Sequence, residues 1–101
     1  MTPSNNIRYF HVKFAPRQAQ LYEVDVDSDK LDGDGSITYD RVVDILADEF
    51  PFSRLDKCKV KYFYDEIKDY IVLQPKHKIQ RQAAVDGVVV IYVDEISRLY
   101  D

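Results

Sequence analysis

The residues that come closest to a chemical site lie between Lys30 and Ile37, where KLDGDGSI resembles a calcium-binding EF-hand loop. Such a loop supplies six or more oxygen ligands, with carboxylates near its start and at its twelfth position around a glycine at the sixth. When Gly35 is placed sixth, Lys30 falls first and Arg41 twelfth. Cations thus replace both anionic ligands, and the preceding residues alternate like a strand. We retain an EF-hand-like loop only as a third hypothesis and favour a plain acidic connection.

The other reactive side chains are scattered along the chain. His11 and His77 lie far apart, and neither belongs to a cluster of cysteines and histidines. Asp65, Glu66 and Asp69 lie close together between two predicted strands, but acid–base catalysis needs a pocket that shifts their pKa values. A solvated hairpin explains these carboxylates better. We therefore predict no enzyme, no catalytic residue, no cofactor and no metal site.

The composition indicates a small globular protein with a surface suited to protein contacts. A chain of 101 residues forms one domain, and its eight tyrosines favour interfaces because the ring buries area while the hydroxyl stays hydrated. The net charge of −4 argues against a nucleic-acid partner. The single cysteine, Cys58, excludes an internal disulfide. The longest apolar run, Val88 to Val93, is too short to cross a bilayer, so we expect a cytoplasmic protein without a membrane span.

Alternation with a period of two predicts a hairpin in the first part of the chain. Residues Ile7 to Phe14 carry large apolar side chains on one face of a strand. Residues Leu21 to Val26 alternate in the same way, and Pro16 lies in the connecting turn. The side chains predicted to face inwards are Phe10, Val12 and Phe14 on the first strand, and Tyr22, Val24 and Val26 on the second.

A helix and three further strands are predicted after the acidic loop. Thr38 is a typical N-cap residue, an apolar stripe with helical spacing follows it, and Pro51 ends the helix. The stripe consists of Val42, Val43, Ile45, Leu46 and Phe50. The strands are predicted at Lys59 to Tyr64, Tyr70 to Gln74 and Val88 to Val93, with a loop or short helix at Pro75 to Ala84.

The predicted order is strand, strand, helix, strand, strand, short helix, strand. This order resembles the ubiquitin-like β-grasp folds, an α+β class in which a five-stranded mixed sheet packs on one main helix. We expect residues 1–6 to be disordered, residues 7–96 to form the domain, and residues 97–101 to begin a linker.

Four segments of the chain resemble DIX domains, the family of Dishevelled and Axin. They are Ile37–Leu46 for the helix, and Lys61–Tyr64, Asp69–Leu73 and Val85–Val89 for the third to fifth strands. The resemblance implies a ubiquitin-like fold and head-to-tail association of a Wnt signalling scaffold, with the chain itself or a homologous domain as partner. A domain that begins at Met1 resembles the Dishevelled arrangement.

The resemblance also implies two interaction surfaces, one on the second strand and helix and the other on the fourth strand. Carried over by position, they comprise Tyr22 and Val42 on one surface, and Val72, Leu73 and Gln74 on the other. Two departures from the family pattern occur at this fourth strand. Gln74 replaces a usual lysine, and residues 75–78 replace an acidic stretch with a basic one.

The Phox/Bem domains, which share this fold and pair front to back, are a close alternative. Their basic surface uses a lysine on the first strand, and Lys13 fits that position. Their acidic surface begins after the third strand, where Asp65, Glu66 and Asp69 match its first half, while the second half is basic here. This alternative implies binding of an acidic partner domain through Lys13.

Overall fold

The computed structural model describes residues 6–15, 21–51 and 58–95 of the chain. Seven strands and one α-helix lie within these residues: β1 (Tyr9–Ala15), β2 (Tyr22–Asp25), β3 (Ile37–Thr38), α1 (Tyr39–Glu49), β4 (Cys58–Tyr64), β5 (Asp69–Val72), β6 (Lys78–Ile79) and β7 (Val88–Glu95). The coarse prediction of an α+β domain with a mixed sheet and a main helix is confirmed.

Five of the strands form one mixed sheet in the order β2-β1-β7-β4-β5. Strands β1 and β7 are parallel, whereas the pairs β1–β2, β7–β4 and β4–β5 are antiparallel. The predicted first hairpin is present, with Phe10 opposite Val24 and Val12 opposite Tyr22. Strands β2 and β5 are therefore the two opposite edges of the sheet.

The helix covers one face of this sheet because both elements bury apolar side chains in a common core. Val42 and Leu46 of α1 are fully buried together with alternate residues of the central strands. The sheet contributes Phe10, Val12, Val24, Val60, Tyr62, Val89, Ile91 and Val93. The period of two predicted for β1 is thus confirmed for Phe10 and Val12, while Phe14 packs against the rim of the core.

The helix begins and ends where the sequence predicts. Thr38 is its N-cap, and the Thr38 side-chain oxygen accepts a bond from the backbone N–H of Arg41 at 3.4 Å. Phe50 is the C-cap, its backbone N–H donates to the carbonyl of Leu46 at 2.8 Å, and Pro51 follows. The predicted start and stop signals are confirmed.

The segment predicted as a loop or short helix contains a strand that the sequence does not reveal. Strand β6 pairs antiparallel with β3 in a separate two-stranded sheet, with Ile37 opposite Ile79. Both of these isoleucines are fully buried. A 3₁₀ turn at Arg81–Ala83 follows and buries Ala83, so a short helical turn is present at the end of the segment.

A tight turn leads into β7. Asp86 and Gly87 both have positive φ, 55° and 83°, and Val85 and Val88 exchange two backbone hydrogen bonds at 2.9 and 3.0 Å. Two positive φ angles are typical of a type I′ turn, which an Asp-Gly pair favours. The same turn holds β1 in place, because the Gly87 carbonyl accepts from the backbone N–H of Arg8 at 2.7 Å.

Several predictions lie outside the described residues. They concern residues 1–5 of the predicted disordered N-terminus, most of the turn around Pro16, and the linker predicted at residues 97–101. Within the described ranges, no helix has the length and apolar character that spanning a membrane requires.

Candidate functional site

The residues predicted for two separate surfaces lie on the two opposite edges of the sheet. Tyr22 is on β2 and is 38% exposed. Val72 is half-buried on β5, and Gln74 follows that strand and is exposed. The structure therefore separates Tyr22 from Val72 and Gln74 by the full width of the sheet.

Two of the predicted interface residues require a correction. Val42 is 0% exposed and Leu73 is 3% exposed, and both belong to the hydrophobic core. Val42 lies on the helix stripe that faces the sheet, and Leu73 points to the same side as Tyr62. Neither side chain lies on the surface, and both contribute to the hydrophobic core between the helix and the sheet. Of the predicted interface residues, Tyr22, Val72 and Gln74 keep exposed surface.

The Tyr22 ring is fixed by two phenylalanines that the sequence did not single out for this purpose. Phe14 and Phe50 lie edge-on to it, with ring centroids 5.9 and 5.2 Å away, and are themselves 5.0 Å apart. Such edge-to-face contacts are the preferred arrangement of aromatic pairs. The ring is therefore held in a defined orientation at the β2 edge, next to Leu21, which is 48% exposed.

A groove of about 610 Å³ runs between β2 and the C-terminal half of α1. We call it the acidic groove, and its lining residues are Val24, Asp25, Asp27, Lys30, Asp44, Ile45, Ala47, Asp48 and Glu49. None of its five carboxylates forms an ion pair within the described part of the chain. With Lys30 as its one cation, the acidic groove carries a concentrated net negative charge beside β2.

The β5 edge is apolar on its strand and basic immediately after it. Tyr70 is 39% exposed and Ile67, in the preceding hairpin, is exposed as well. On the face of the sheet opposite the helix, the Tyr70 ring packs edge-on against Phe63 at 5.2 Å and against Tyr92 at 5.5 Å. This stack positions Tyr70 at the edge, as Phe14 and Phe50 position Tyr22.

The basic residues after β5 are presented by a turn with a strained backbone. The His77 N–H donates to the Gln74 carbonyl at 3.0 Å, with Pro75 and Lys76 between them. Lys76 has φ of 74°, so the arrangement is that of a type II turn, whose third position favours glycine. We call Gln74 to Lys78 the basic turn; Lys76, His77 and Lys78 line a groove of about 350 Å³ with Tyr62, Ile71 and Leu73.

The calcium-like loop has its oxygen atoms bound by cations of the chain. The Arg41 guanidinium donates to the Lys30 carbonyl at 2.8 Å and to Asp32 at 3.3 Å. The Lys78 ammonium lies 3.8 Å from Asp32 and 3.9 Å from Asp34. Two hydrogen bonds from Ser36, and secondarily Lys78, hold the pKa of the Asp34 carboxyl below its usual range. Strand β2 and a short 3₁₀ turn at Ser28–Lys30, rather than an entering α-helix, precede the loop.

The candidate acid–base residues are not gathered into a cleft. His11 is on the sheet face opposite the helix, with its Nε2 atom 3.2 Å from Glu23, whereas His77 is in the basic turn. In the β4–β5 hairpin, Asp65 pairs with Lys68 at 2.9 Å and Glu66 accepts from Tyr64. No three His, Cys, Asp or Glu side chains among the described residues are grouped to hold a metal ion.

Two tyrosines of β4 have raised pKa values for physical reasons that do not indicate catalysis. The hydroxyl of Tyr64 donates to Glu66 at 2.9 Å, and this bond, followed by burial, raises the pKa of Tyr64. Burial alone raises the pKa of Tyr62, which packs in the core. Both shifts favour the neutral tyrosine; the bond to Glu66 is the main cause for Tyr64, and burial is the cause for Tyr62.

Lys13, the predicted alternative basic residue, lies on the face of the sheet opposite the helix. It is aligned with Tyr92 of β7, and Lys61 of β4 is aligned with Tyr92 from the other side. Lys61 lies 3.8 Å from Asp94, whereas Lys13 forms no ion pair within the described residues. Lys13 therefore presents a free cation beside an aromatic ring.

Comparison of the chain with protein-family models, with curated proteins and with solved structures finds no match. The geometry of the two edges is therefore the basis for assigning a function.

Proposed function

We propose that this chain is a protein-interaction domain that associates head to tail through the two edges of its sheet. The main observation in support is that exposed aromatic side chains, each held by neighbouring rings, lie on opposite edge strands: Tyr22 on β2 and Tyr70 on β5. Because the two surfaces differ, a contact between them is heterologous, and it generates an open filament unless its rotation closes a ring.

Backbone hydrogen bonding supports contact between these edges. The Val26 N–H donates to the Arg8 carbonyl, so the backbone groups of Val26 point towards β1. Because these directions alternate along a strand, the backbone groups of Glu23 and Asp25 point away from the sheet. The Leu73 N–H donates to the Val60 carbonyl, so by the same alternation the backbone groups of Tyr70 and Val72 point outwards at the β5 edge. An edge strand with unpaired groups is a template for adding another strand.

The strand directions match a repeating assembly. Strand β2 runs opposite to β1, whereas β5 runs in the same direction as β1, because β7 is parallel to β1 and two antiparallel steps separate β7 from β5. When β5 of one copy lies beside β2 of the next in the same orientation, the two strands are antiparallel. Each added copy then extends the sheet and presents a new free edge.

This function agrees with a domain of the DIX type in a ubiquitin-like β-grasp fold, with which the observed strand order and single helix are compatible. The partner would be a second copy or a homologous domain, as in the scaffolds of cytoplasmic Wnt signalling. Weak contacts would become effective because aligned copies concentrate the segments attached to them.

Substituting Tyr22→Asp tests the proposal. We expect wild-type protein to sediment as larger species when its concentration rises, and the variant to weaken this association by roughly 30-fold or more, as loss of a central aromatic contact does. Sedimentation velocity measures both.

Val85→Asp is the control, because Val85 is also exposed, at 51%, but lies outside both edge strands. We expect it to associate like wild type. A wild-type protein that stays monomeric at high concentration would refute self-association, and equal losses in the two variants would refute the choice of the β2 edge.

The free cation of Lys13 favours a second candidate function, the binding of an acidic partner domain in the manner of Phox/Bem domains. If that is correct, Lys13→Ala should abolish binding of a peptide rich in aspartate and glutamate, measured by calorimetry, and leave self-association intact. Lys59→Ala is the control on the same sheet face, since Lys59 is exposed and is aligned with Asp94. Equal losses in both variants would indicate nonspecific attraction.

A further inference from the structure

We propose that the acidic groove beside β2 receives the basic turn after β5 of a neighbouring copy, so that charge selects the partner and aligns it. This inference rests on the proposed head-to-tail association and names the contact that specifies it. Exposed apolar edges alone would pair with many strands, whereas complementary charges favour one partner and disfavour others.

Both charged features lie on the helix-covered side of the sheet, at opposite edges. The acidic groove is lined by Val24 of β2 and by α1, and the groove of the basic turn is lined by Tyr62, Ile71 and Leu73, which face the same core. When β5 of one copy adds to β2 of the next in the same orientation, the two helix-covered sides coincide. The register places the end of β5 level with the end of β1, so the basic turn then lies at the Tyr22 end of β2. There Phe50 packs on Tyr22, and Asp48 and Glu49 in the last turn of α1 line the acidic groove.

The charges on the two sides are opposite in sign. The acidic groove holds five carboxylates and one lysine, whereas Lys76 and His77 form no ion pair within the described residues. The carboxylates are spread over β2, the following loop and two turns of α1. A partner with several cationic side chains fits such a groove better than a single ion does.

Each of the two surfaces also contains residues in locally unfavourable positions, which is typical of residues that serve a function. Lys76 occupies a turn position with φ of 74° that glycine adopts at lower cost. Asp48 and Glu49 lie in the last turn of α1, which has no basic residue, although the negative end of a helix dipole disfavours carboxylates. A cation supplied by another copy would relieve the unfavourable position of Asp48 and Glu49 at the helix end. Lys76, with its positive φ, is exposed and available for such a contact.

Substitutions at these positions are expected to affect the melting temperature and self-association in opposite directions. Lys76→Gly removes the cation and relieves the positive φ, and Asp48→Asn removes a carboxylate from the helix C-terminus. We expect each variant to have an unchanged or higher melting temperature, yet to weaken self-association by roughly threefold to tenfold. A purely structural role would not separate the two measurements.

Lys68→Gly is the matched control. Lys68 also has a positive φ, 56°, but it lies in the β4–β5 turn and pairs with Asp65. The substitution makes the same change in net charge and backbone strain away from the basic turn, so we expect association within twofold of wild type.

Sedimentation velocity and thermal melts of wild type, Lys76→Gly, Asp48→Asn, their double variant and Lys68→Gly test the contact. We expect the double variant to lose less than the product of the two single losses, since residues in contact are coupled. If the losses simply multiply, or if Lys68→Gly weakens association as much as Lys76→Gly, the contact is refuted while self-association stands. A monomeric wild type would instead refute the proposed function itself.

Discussion

Val42→Asp is expected to abolish folding of the domain. Val42 is 0% exposed in the core between α1 and the sheet, where the described residues around it are apolar, so a carboxylate there would be buried away from water. An unpaired buried charge is among the changes that destabilise by more than about 4–5 kcal/mol, against a total stability of about 5–15 kcal/mol for a typical domain. Circular dichroism and urea denaturation would show an unfolded chain without a cooperative transition.

Val72→Asp is the informative comparison, because Val72 is half-buried on the β5 edge. This variant should stay folded and lose self-association, since the new charge lies where a neighbouring copy would dock. A folded but monomeric Val42→Asp variant would contradict the core assignment and return Val42 to the interface. Comparison of the two variants therefore distinguishes a core position from a position in the proposed interface, which residue type alone cannot do.

The fold was largely predictable because most of its signals are local. Alternation placed Phe10 and Val12 on the inner face of β1, and Thr38 with Pro51 bounded the helix, all within windows of a few residues. Strands β3 and β6 were missed because each has two residues, too few for any periodicity. Their pairing joins Ile37 to Ile79, and only the folded chain brings these residues together.

The candidate site was predictable in part. The sequence suggested which strands carry the proposed interface. Which side chains of those strands and of the helix reach the surface depends on packing, and Val42 and Leu73 are buried. The acidic groove shows the same limit. The spacing of Asp44 and Asp48 on one helix is visible in the sequence, whereas their proximity to Asp25 requires β2 to pack beside α1.

Phe10→Ala is expected to cause the largest loss of stability among conservative truncations in the sheet. Phe10 is fully buried on β1, between Val24 of β2 and Val89 of β7. Removing a buried phenylalanine ring leaves a cavity and costs about 3–5 kcal/mol. Urea denaturation at equilibrium should show a much lower midpoint with a similar slope, because the surface exposed on unfolding changes little.

Phe63→Ala is the control on the opposite face of the sheet. Its ring is half-buried and packs edge-on against Tyr70, so its loss should cost only about 1–2 kcal/mol. Equal losses at the two positions would mean that both faces of the sheet are covered, contrary to the single helix layer described above. A folded Phe63→Ala variant with weakened association would further show that Tyr70 must be held by its neighbour to act at the β5 edge.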